Sequence, residues 1–209
     1  VSEPVRVHEH TGRPSARDRA RSLLKAVKIP APEQRLREYP HQMSGGMRQR
    51  IVGAIAMSCE PRVLIADEPT TSLDVTIQAQ YLKLLRDLQR EHGLALIFIT
   101  HNLGIVARMC DSVAVMYAGR VIESGPVRKI FNSPAHPYTQ ALIESIPRLG
   151  GGPSRLTAID GQPPDLASLP PGCSFQPRCP KALDRCREEA PGNIMVAPAH
   201  GARCWLAAK

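Results

Sequence analysis

Residues 63–70 read VLIADEPT, and this stretch decides the fold because an apolar run ends abruptly in two acidic residues. Short continuous apolar runs that are rich in branched side chains are typical of strands in a parallel sheet covered on both faces. Residues 94–99 and 112–117 form two further runs of this kind. Together the three runs predict a parallel sheet with flanking helices, and hence an α/β fold.

A helix is predicted between the first two runs. Within residues 76–92 apolar side chains recur at helical spacing, and Gly93 then provides a stop. Strand, helix and strand in this order bring the carboxyl ends of both strands to one edge of the sheet. Asp67 and Glu68 follow the first strand and His101 follows the second. We therefore expect the chemistry of the protein at this edge.

The composition narrows the class of protein. The 209 residues are 43% apolar, which is enough for a core. No stretch approaches the roughly 18 uninterrupted apolar residues of a membrane span, so the sequence predicts a soluble intracellular protein. The formal net charge of +8 suits nucleic acid, nucleotide phosphate or an anionic membrane face. Aromatic residues make up only 4%, which disfavours stacking on single-stranded nucleic acid.

The prolines divide the chain into two parts. Seven of the 20 precede Gly125, and thirteen lie from Pro126 onward. Since prolines interrupt regular structure, this shift predicts an α/β domain over residues 1–125 and a Pro/Gly-rich extension over residues 126–209.

The acidic pair at the end of the first strand admits a catalytic interpretation. Asp67 can hold a Mg²⁺ ion, and Glu68 is then free to orient or deprotonate an attacking water. His101 can donate a hydrogen bond to a phosphoryl oxygen at the same edge. Acidic pairs also end strands in solvent without any function, and a lone histidine is often merely surface or core.

A second pattern is SGGMRQR at residues 44–50, which precedes an apolar helical stretch. Ser44 suits a helix N-cap, and the glycines after it let anion oxygens approach backbone N–H groups at the positive end of a helix. An ordinary capped helix explains the same residues.

Each of these motifs is weak evidence alone, but their order along the chain makes the resemblance to a known family specific. MSGGMRQR at residues 43–50, LIADEPTTSLD at 64–74 and IFITHN at 97–102 resemble the ATP-binding subunit of an ABC transporter. Residues 43–46 match the signature motif of that family with Met in place of the usual Leu. Residues 64–68 match its Walker B motif, residues 72–74 its D-loop, and His101 its switch histidine.

Further stretches are similar to one branch of the family. YPHQMSGGMRQR, ADEPTTSLDVTIQAQ and HPYTQAL, followed by a cysteine-bearing tail, resemble the oligopeptide/dipeptide importer ATPases. The resemblance implies ATP hydrolysis that energises peptide import. It also implies a second ABC ATPase subunit, two membrane permease subunits and, indirectly, a peptide-binding protein as partners, with no nucleic acid. The expected location is peripheral, on the cytoplasmic face of the cell membrane.

The resemblance also implies roles for single residues, with ATP and Mg²⁺ as cofactors. Asp67 would serve Mg²⁺, Glu68 the hydrolytic water and His101 the γ-phosphate. Asp74 would communicate across a dimer of ATPase subunits, and the signature residues would contact ATP held by the opposite subunit. The residues expected at the nucleotide are Ser44, Gly45, Gly46, Gln49, Asp67 and Asp74.

The sequence departs from the family in one respect. The pattern G-x-x-x-x-G-K-[ST], whose backbone N–H groups and Lys hold the phosphates, does not occur in the 209 residues. The chain therefore resembles the C-terminal two-thirds of a subunit, and we expect hydrolysis to need an upstream segment with this loop. One alternative is a catalytically inactive regulatory or metal-binding fragment. Another is a non-transport ABC ATPase acting on nucleic acid, although the resemblance of the tail to peptide importers argues against it.

Four of the six cysteines lie in the tail, with the spacing C-x5-C-x6-C-x17-C; they are Cys173, Cys179, Cys186 and Cys204. Four thiolates in a Pro/Gly-rich segment suit a metal centre that staples it. The candidates are an iron–sulfur cluster, zinc and no metal, and the resemblance favours a [4Fe–4S] cluster because some peptide-importer ATPases carry one. Cys59 and Cys110 are predicted to be buried small hydrophobes.

Overall fold

The computed structural model describes residues 1–146 and 158–208. The chain divides into two compact units, Val1–His101 and Asn102–Lys209, which are described separately below. The predicted domain boundary at residue 125 stays a prediction. In the described ranges no helix is both long and apolar enough to cross a membrane.

The first unit contains five α-helices, two strands and a 3-10 helix at Pro40–Gln42 in its described residues. The elements are α1 (Ser2–His8), α2 (Arg13–Ala26), α3 (Pro32–Arg35), α4 (Gly45–Ala56), β1 (Val63–Asp67), α5 (Val75–His92) and β2 (Ala95–Ile99).

The predicted strand–helix–strand unit is confirmed. β1 pairs in parallel with β2, and Asp67 lies opposite Ile99 at the carboxyl end of the pair. Between them α5 buries Leu84, Leu85 and Leu88 on one face. The helix ends at Gly93, whose φ of 61° is the left-handed conformation that glycine adopts without steric cost.

One face of the β1–β2 pair is uncovered, although the sequence predicted cover on both faces. Ile65 is 62% exposed and Ile97 is 50% exposed, and Val63 and Ile99 on the same face are similarly open. Successive side chains of a strand point to opposite faces, and no described element of this unit lies over the outer one. A single covered face therefore replaces the expected two-sided packing.

The second unit contains four α-helices and four strands in its described residues, besides two 3-10 helices at Gln176–Arg178 and Trp205–Ala207. They are α6 (Leu103–Met109), β3 (Ser112–Tyr117), β4 (Arg120–Pro126), α7 (Val127–Asn132), α8 (Pro137–Glu144), α9 (Arg185–Glu188), β5 (Ile194–Ala197) and β6 (His200–Ala202).

The third apolar run, β3, was predicted in the parallel sheet, and this prediction is wrong. β3 lies in an antiparallel sheet of order β3-β4-β6-β5. Its partner follows at once because Ala118 and Gly119, with φ of 46° and 75°, form a two-residue turn. Two central residues of positive φ are typical of a tight hairpin.

The core of the second unit is aromatic. Phe175 is 1% exposed and packs with Tyr117 and Ile122. The ring centroid of Phe175 lies 5.2 Å from that of Tyr117 and 5.3 Å from that of Tyr138. The cysteine-bearing segment thus packs on β3 and β4 through one large side chain.

The two remaining cysteines differ from the prediction. Cys59 is exposed, and Cys110 is half-buried with a thiol pKa raised mainly by burial. Because α4 ends at Ala56, Cys59 lies beyond the helix in a turn where Ser58 takes the buried position. The prediction of a buried Cys59 is therefore wrong.

Candidate active site

The carboxyl edge of β1 and β2 positions Glu68. Its backbone N–H donates to the carbonyl oxygen of Ile99 at 3.0 Å, which ties it to the end of the neighbouring strand. Its φ is 43°, in the left-handed region that side chains other than glycine rarely adopt. Such strain is held by surrounding structure and clusters at functional sites.

The carboxylate of Glu68 accepts three hydrogen bonds. Oε1 lies 3.1 Å from the backbone nitrogen of His101 and 2.7 Å from its Nδ1. Oε2 accepts from the hydroxyl of Thr71 at 2.9 Å. These bonds, that from the His101 side chain above all and then that from Thr71, lower the pKa of Glu68. The carboxylate is therefore held ionised.

His101 is oriented by the same contact. Because an ionised carboxylate only accepts hydrogen bonds, Nδ1 of His101 carries the proton that it shares with Glu68. The His101 side chain is 78% exposed. Its other ring nitrogen, Nε2, is thus available for a further contact.

Asp67 lies beside Glu68 at the end of β1 and is exposed. Among the described residues its carboxylate has no hydrogen bond or ion pair. The loop after Glu68 is fixed independently, because Gln78 donates to the hydroxyl of buried Thr70 at 3.3 Å. An exposed, unpaired carboxylate at a rigid strand end suits a hard cation such as Mg²⁺.

The signature residues form the start of α4. The hydroxyl of Ser44 accepts from the backbone N–H of Met47 at 3.3 Å and caps the helix. A Cβ atom on Gly46 would lie 2.7 Å from a methyl carbon of Ile77, so only glycine permits this approach to α5. Gly45 has open space around it.

Asp74 and Gln49 also act on helices α4 and α5. Asp74 caps α5, because its Oδ1 accepts from the backbone N–H of Ile77 at 2.9 Å. The Gln49 side chain hydrogen-bonds Tyr81. This bond lowers the pKa of Tyr81, but burial has the larger effect and the pKa is raised. Gln49 therefore joins α4 to α5, whereas Asp74 fixes the start of α5.

The structure gathers the predicted site residues into two groups. Glu68 and His101 are in contact, with Asp67 adjacent, whereas Ser44 caps α4 and Gly46 lies against α5. Within the described residues no hydrogen bond or ion pair joins the signature residues to Glu68 or His101. The two groups are thus separate in the hydrogen-bond network of the described residues.

Sequence reasoning did not identify two residues that support these groups. Thr71 fixes Glu68, and the repeated threonines of DEPTT are the only sequence sign of it. Arg50 donates to the carbonyl oxygen of Lys28 at 3.2 Å and to Oε1 of Gln80 at 3.1 Å. It therefore fastens α4 to the end of α2 and to α5, which no local pattern indicates.

The four tail cysteines line one cavity in the second unit; they are Cys173, Cys179, Cys186 and Cys204. Burial raises the thiol pKa of Cys173, Cys179 and Cys204, and the neighbouring cysteines raise it further. Thiolates so close together repel one another, so their joint ionisation needs a compensating positive charge.

The predicted iron–sulfur cluster is not supported by this arrangement. Over residues 1–146 and 158–208, no group of three or more His, Cys, Asp or Glu side chains is placed to hold a metal ion. The cysteines share a cavity without standing in ligating geometry.

The carboxylate of Glu123 on β4 is buried and joins three separate parts of the second unit; we call this contact centre the hub, and the sequence did not indicate it. Its carboxylate accepts from the backbone N–H groups of Ala135 at 2.7 Å and His136 at 2.9 Å. It also lies 2.8 Å from Nε2 of His200. These partners are 12 to 77 residues away along the chain, which explains the absence of a local signature.

His136 is held by Glu123 and lines the cysteine cavity. It is 1% exposed, and burial lowers its pKa to about 4. Its Nδ1 accepts from the backbone N–H of Tyr138 at 3.0 Å and so caps α8. The imidazole is therefore neutral near pH 7.

Two protein families match separate parts of the chain. Residues 2–71 match the family described as "ABC transporter". Residues 122–186 match the family described as "Oligopeptide/dipeptide transporter, C-terminal region".

Individual relatives match nearly the whole chain. "Dipeptide transport ATP-binding protein DppD" of Bacillus subtilis is 51% identical over 206 residues, which are 99% of this chain and 62% of the relative. "Oligopeptide transport ATP-binding protein AppD" of the same organism is 47% identical, over 99% of this chain and 63% of the relative. The chain thus spans less than two thirds of the length of these relatives.

One solved structure has the same fold over part of the chain. CbiO1 from Clostridium perfringens, described as part of the ABC transporter complex cbiONQ, aligns with a TM-score of 0.51 and 36% identity. The alignment covers 59% of this chain and 48% of that one.

Proposed function

We propose that this chain belongs to the family of ATP-binding proteins of peptide ABC transporters and that it hydrolyses ATP to energise peptide import; the two matched families and the relatives support this. The observation that carries the proposal is the Glu68–His101 contact at the end of two parallel strands, with Asp67 beside it. Its position at the carboxyl edge of a parallel sheet is where α/β proteins bind ligands.

The carboxylates of Asp67 and Glu68 have different roles in the proposed hydrolysis. Asp67, which is exposed and unpaired in the described part of the chain, would hold Mg²⁺. A bound Mg²⁺ neutralises charge on the phosphates. Glu68 accepts three hydrogen bonds, and an ionised carboxylate has about four acceptor sites, so one site is left to orient or deprotonate a water. His101 keeps its Nδ1–H on Glu68, and its Nε2 donates a hydrogen bond to the γ-phosphate when the ring carries a second proton.

The signature residues act on a different nucleotide. Ser44, Gly45 and Gly46 stand at the positive end of α4, where backbone N–H groups favour an anion. We assign their contact to ATP held by a second ATPase subunit, which agrees with their separation from Glu68 in the hydrogen-bond network. Gln49 connects α4 to α5, and Asp74 at the start of α5 communicates the presence of nucleotide across the dimer.

The partners follow from the same proposal. They are a second ABC ATPase subunit, two membrane permease subunits and, indirectly, a peptide-binding protein. The chain acts peripherally, on the cytoplasmic face of the cell membrane. The names of the relatives, which include dipeptide and oligopeptide transport proteins, support peptides as the transported class.

The 209-residue chain alone is expected to hydrolyse ATP negligibly, because the phosphate-loop pattern G-x-x-x-x-G-K-[ST] does not occur in its sequence. Joining it to the part of Bacillus subtilis DppD that it does not span is expected to give turnover. Steady-state phosphate release measures both proteins, with the Glu68→Gln form of each as the background. Release by the 209-residue chain above that background would refute the proposal.

We also propose that Cys173, Cys179, Cys186 and Cys204 ligate a [4Fe–4S] cluster. The support for this proposal is that four thiols line one cavity whose other walls are mostly apolar. A cluster would supply the positive charge that four neighbouring thiolates need. Zinc is the alternative group for the same ligands.

Protein purified without oxygen is expected to contain about four irons per chain and to be brown. Cys179→Ala removes a ligand and should lose most of the iron, whereas Cys59→Ala changes an exposed cysteine and serves as the matched control. Iron and sulfide analysis gives the result. Stoichiometric zinc, or four free thiols and no metal, would contradict the cluster.

A further inference from the structure

Thr71 contacts the carboxylate of Glu68 from the turn that follows β1. Its hydroxyl donates to Oε2 of Glu68 at 2.9 Å, and its backbone N–H donates to the carbonyl oxygen of Glu68 at 3.4 Å. The neighbouring Thr70 is buried, and its hydroxyl accepts from Gln78 of α5 at 3.3 Å. The hydroxyl of Thr71 is therefore presented to Glu68 by a turn that is anchored on α5.

The hydrogen bonds of Glu68 are divided unequally between its two carboxylate oxygens. Oε1 lies 3.1 Å from the backbone nitrogen of His101 and 2.7 Å from Nδ1 of the same residue. An ionised carboxylate has about two acceptor positions on each oxygen, so both positions of Oε1 are occupied. Within the part of the chain that the structure describes, Oε2 accepts from Thr71 only. The acceptor position that is left for a water is therefore on Oε2.

Two contacts together fix the direction of that free position. The terminal torsion of a glutamate side chain is broad, so a carboxylate that His101 held through Oε1 alone could still turn. Thr71 holds the other oxygen from a different segment of the chain. The bonds from the end of β2 and from the turn after β1 thus define the plane of the carboxylate.

We propose that Thr71 is a positioning residue for ATP hydrolysis, which aims the free acceptor position of Glu68 Oε2 at the attacking water. This inference rests on the hydrolysis proposed above, in which Glu68 orients or deprotonates that water. Thr71 acts through Glu68 and needs no contact with the nucleotide. Its effect is on the rate of the chemical step, because catalysis depends steeply on the placement of the reacting groups.

Three substitutions separate positioning from a general structural role. Thr71→Val removes the hydroxyl and keeps the branched shape of the side chain, whereas Thr71→Ser keeps the hydroxyl. Thr76→Val makes the same change at an exposed position of α5 and is the matched control. Each is made in the chain joined to the part of Bacillus subtilis DppD that it does not span, and steady-state phosphate release gives kcat and KM for ATP.

The Thr71→Val variant is expected to lose roughly tenfold in kcat while KM for ATP changes less than about twofold, because only the orientation of Glu68 is altered. The Thr71→Ser variant and the control should both stay within about twofold of the unmodified kcat. In the Glu68→Gln protein, Thr71→Val should cause no further loss, because the carboxylate through which it acts is already absent.

Several outcomes overturn the inference while leaving the proposed hydrolysis intact, provided that Glu68→Gln still abolishes turnover. They are an unchanged kcat in the Thr71→Val variant, a Thr71→Ser variant as slow as it, and a further loss in the Glu68→Gln protein. A raised KM or an unfolded Thr71→Val protein also overturns it, since Thr71 then only maintains the local structure. Turnover that does not depend on Glu68, or no turnover by the unmodified joined protein, removes the proposed hydrolysis together with this inference.

Discussion

Replacing Glu68 by glutamine is expected to reduce steady-state ATP hydrolysis by about two to three orders of magnitude when the chain is joined to a phosphate-binding segment. General-base catalysis by a positioned side chain contributes a factor of roughly 10² to 10⁴. Glutamine keeps the shape of Glu68 and can still accept the N–H of His101, so the strand ends stay in place. Only the negative carboxylate is lost.

Nucleotide binding should survive this change, because Asp67 remains for Mg²⁺. The measurements are phosphate release and the affinity for ATP with Mg²⁺, and binding is expected to change less than about threefold. Glu91→Gln, at an exposed position near the end of α5, is the control and should leave both unchanged. A Glu68→Gln protein that hydrolyses normally, or that no longer binds ATP, would contradict the assigned role.

Replacing Glu123 by alanine is expected to destabilise the second unit by about 3–5 kcal/mol. The change leaves two backbone N–H groups and the ring of His200 without their buried acceptor. Breaking a buried pair by removing one partner typically costs this much, because the remaining polar groups stay buried and unpaired.

Denaturant unfolding can be followed in this unit alone. Trp205 is the single tryptophan of the chain, and it stacks beneath the guanidinium of Arg185 at 3.4 Å. Glu188→Ala changes an exposed glutamate and is expected to alter the free energy of unfolding by less than about 0.5 kcal/mol. Equal unfolding midpoints for the Glu123 and Glu188 variants would show that the hub does not stabilise the unit.

Sequence patterns correctly predicted the strand–helix–strand part of the first unit, whose elements are each determined by residues close together in the chain. The apolar runs and the helical spacing between them give β1, α5 and β2, and the order of parallel strands places Glu68 near His101. The partner of β3 could not be predicted from its apolar run alone. That pairing depends on a two-residue turn at Ala118-Gly119, which allows the next strand to fold back.

The sequence identified which residues belong to the candidate sites, but it could not predict the hydrogen bonds that connect them. The spacing of the tail cysteines identified a set of four, and the structure places all four around one cavity. The proton position on His136 depends on a cap contact, and the hub at Glu123 joins residues that are far apart in the chain. Such contacts depend on tertiary packing, so the periodicity and spacing of residues in the sequence do not indicate them.

Peptide uptake tests the central claim most directly. Bacillus subtilis cells lacking DppD would receive this chain joined to the part of DppD that it does not span, and import of a labelled dipeptide would be measured. The account predicts that the joined protein restores uptake and that its Glu68→Gln form does not. Failure of a joined protein that is expressed and hydrolyses ATP, or equal uptake with the Glu68→Gln form, would contradict it.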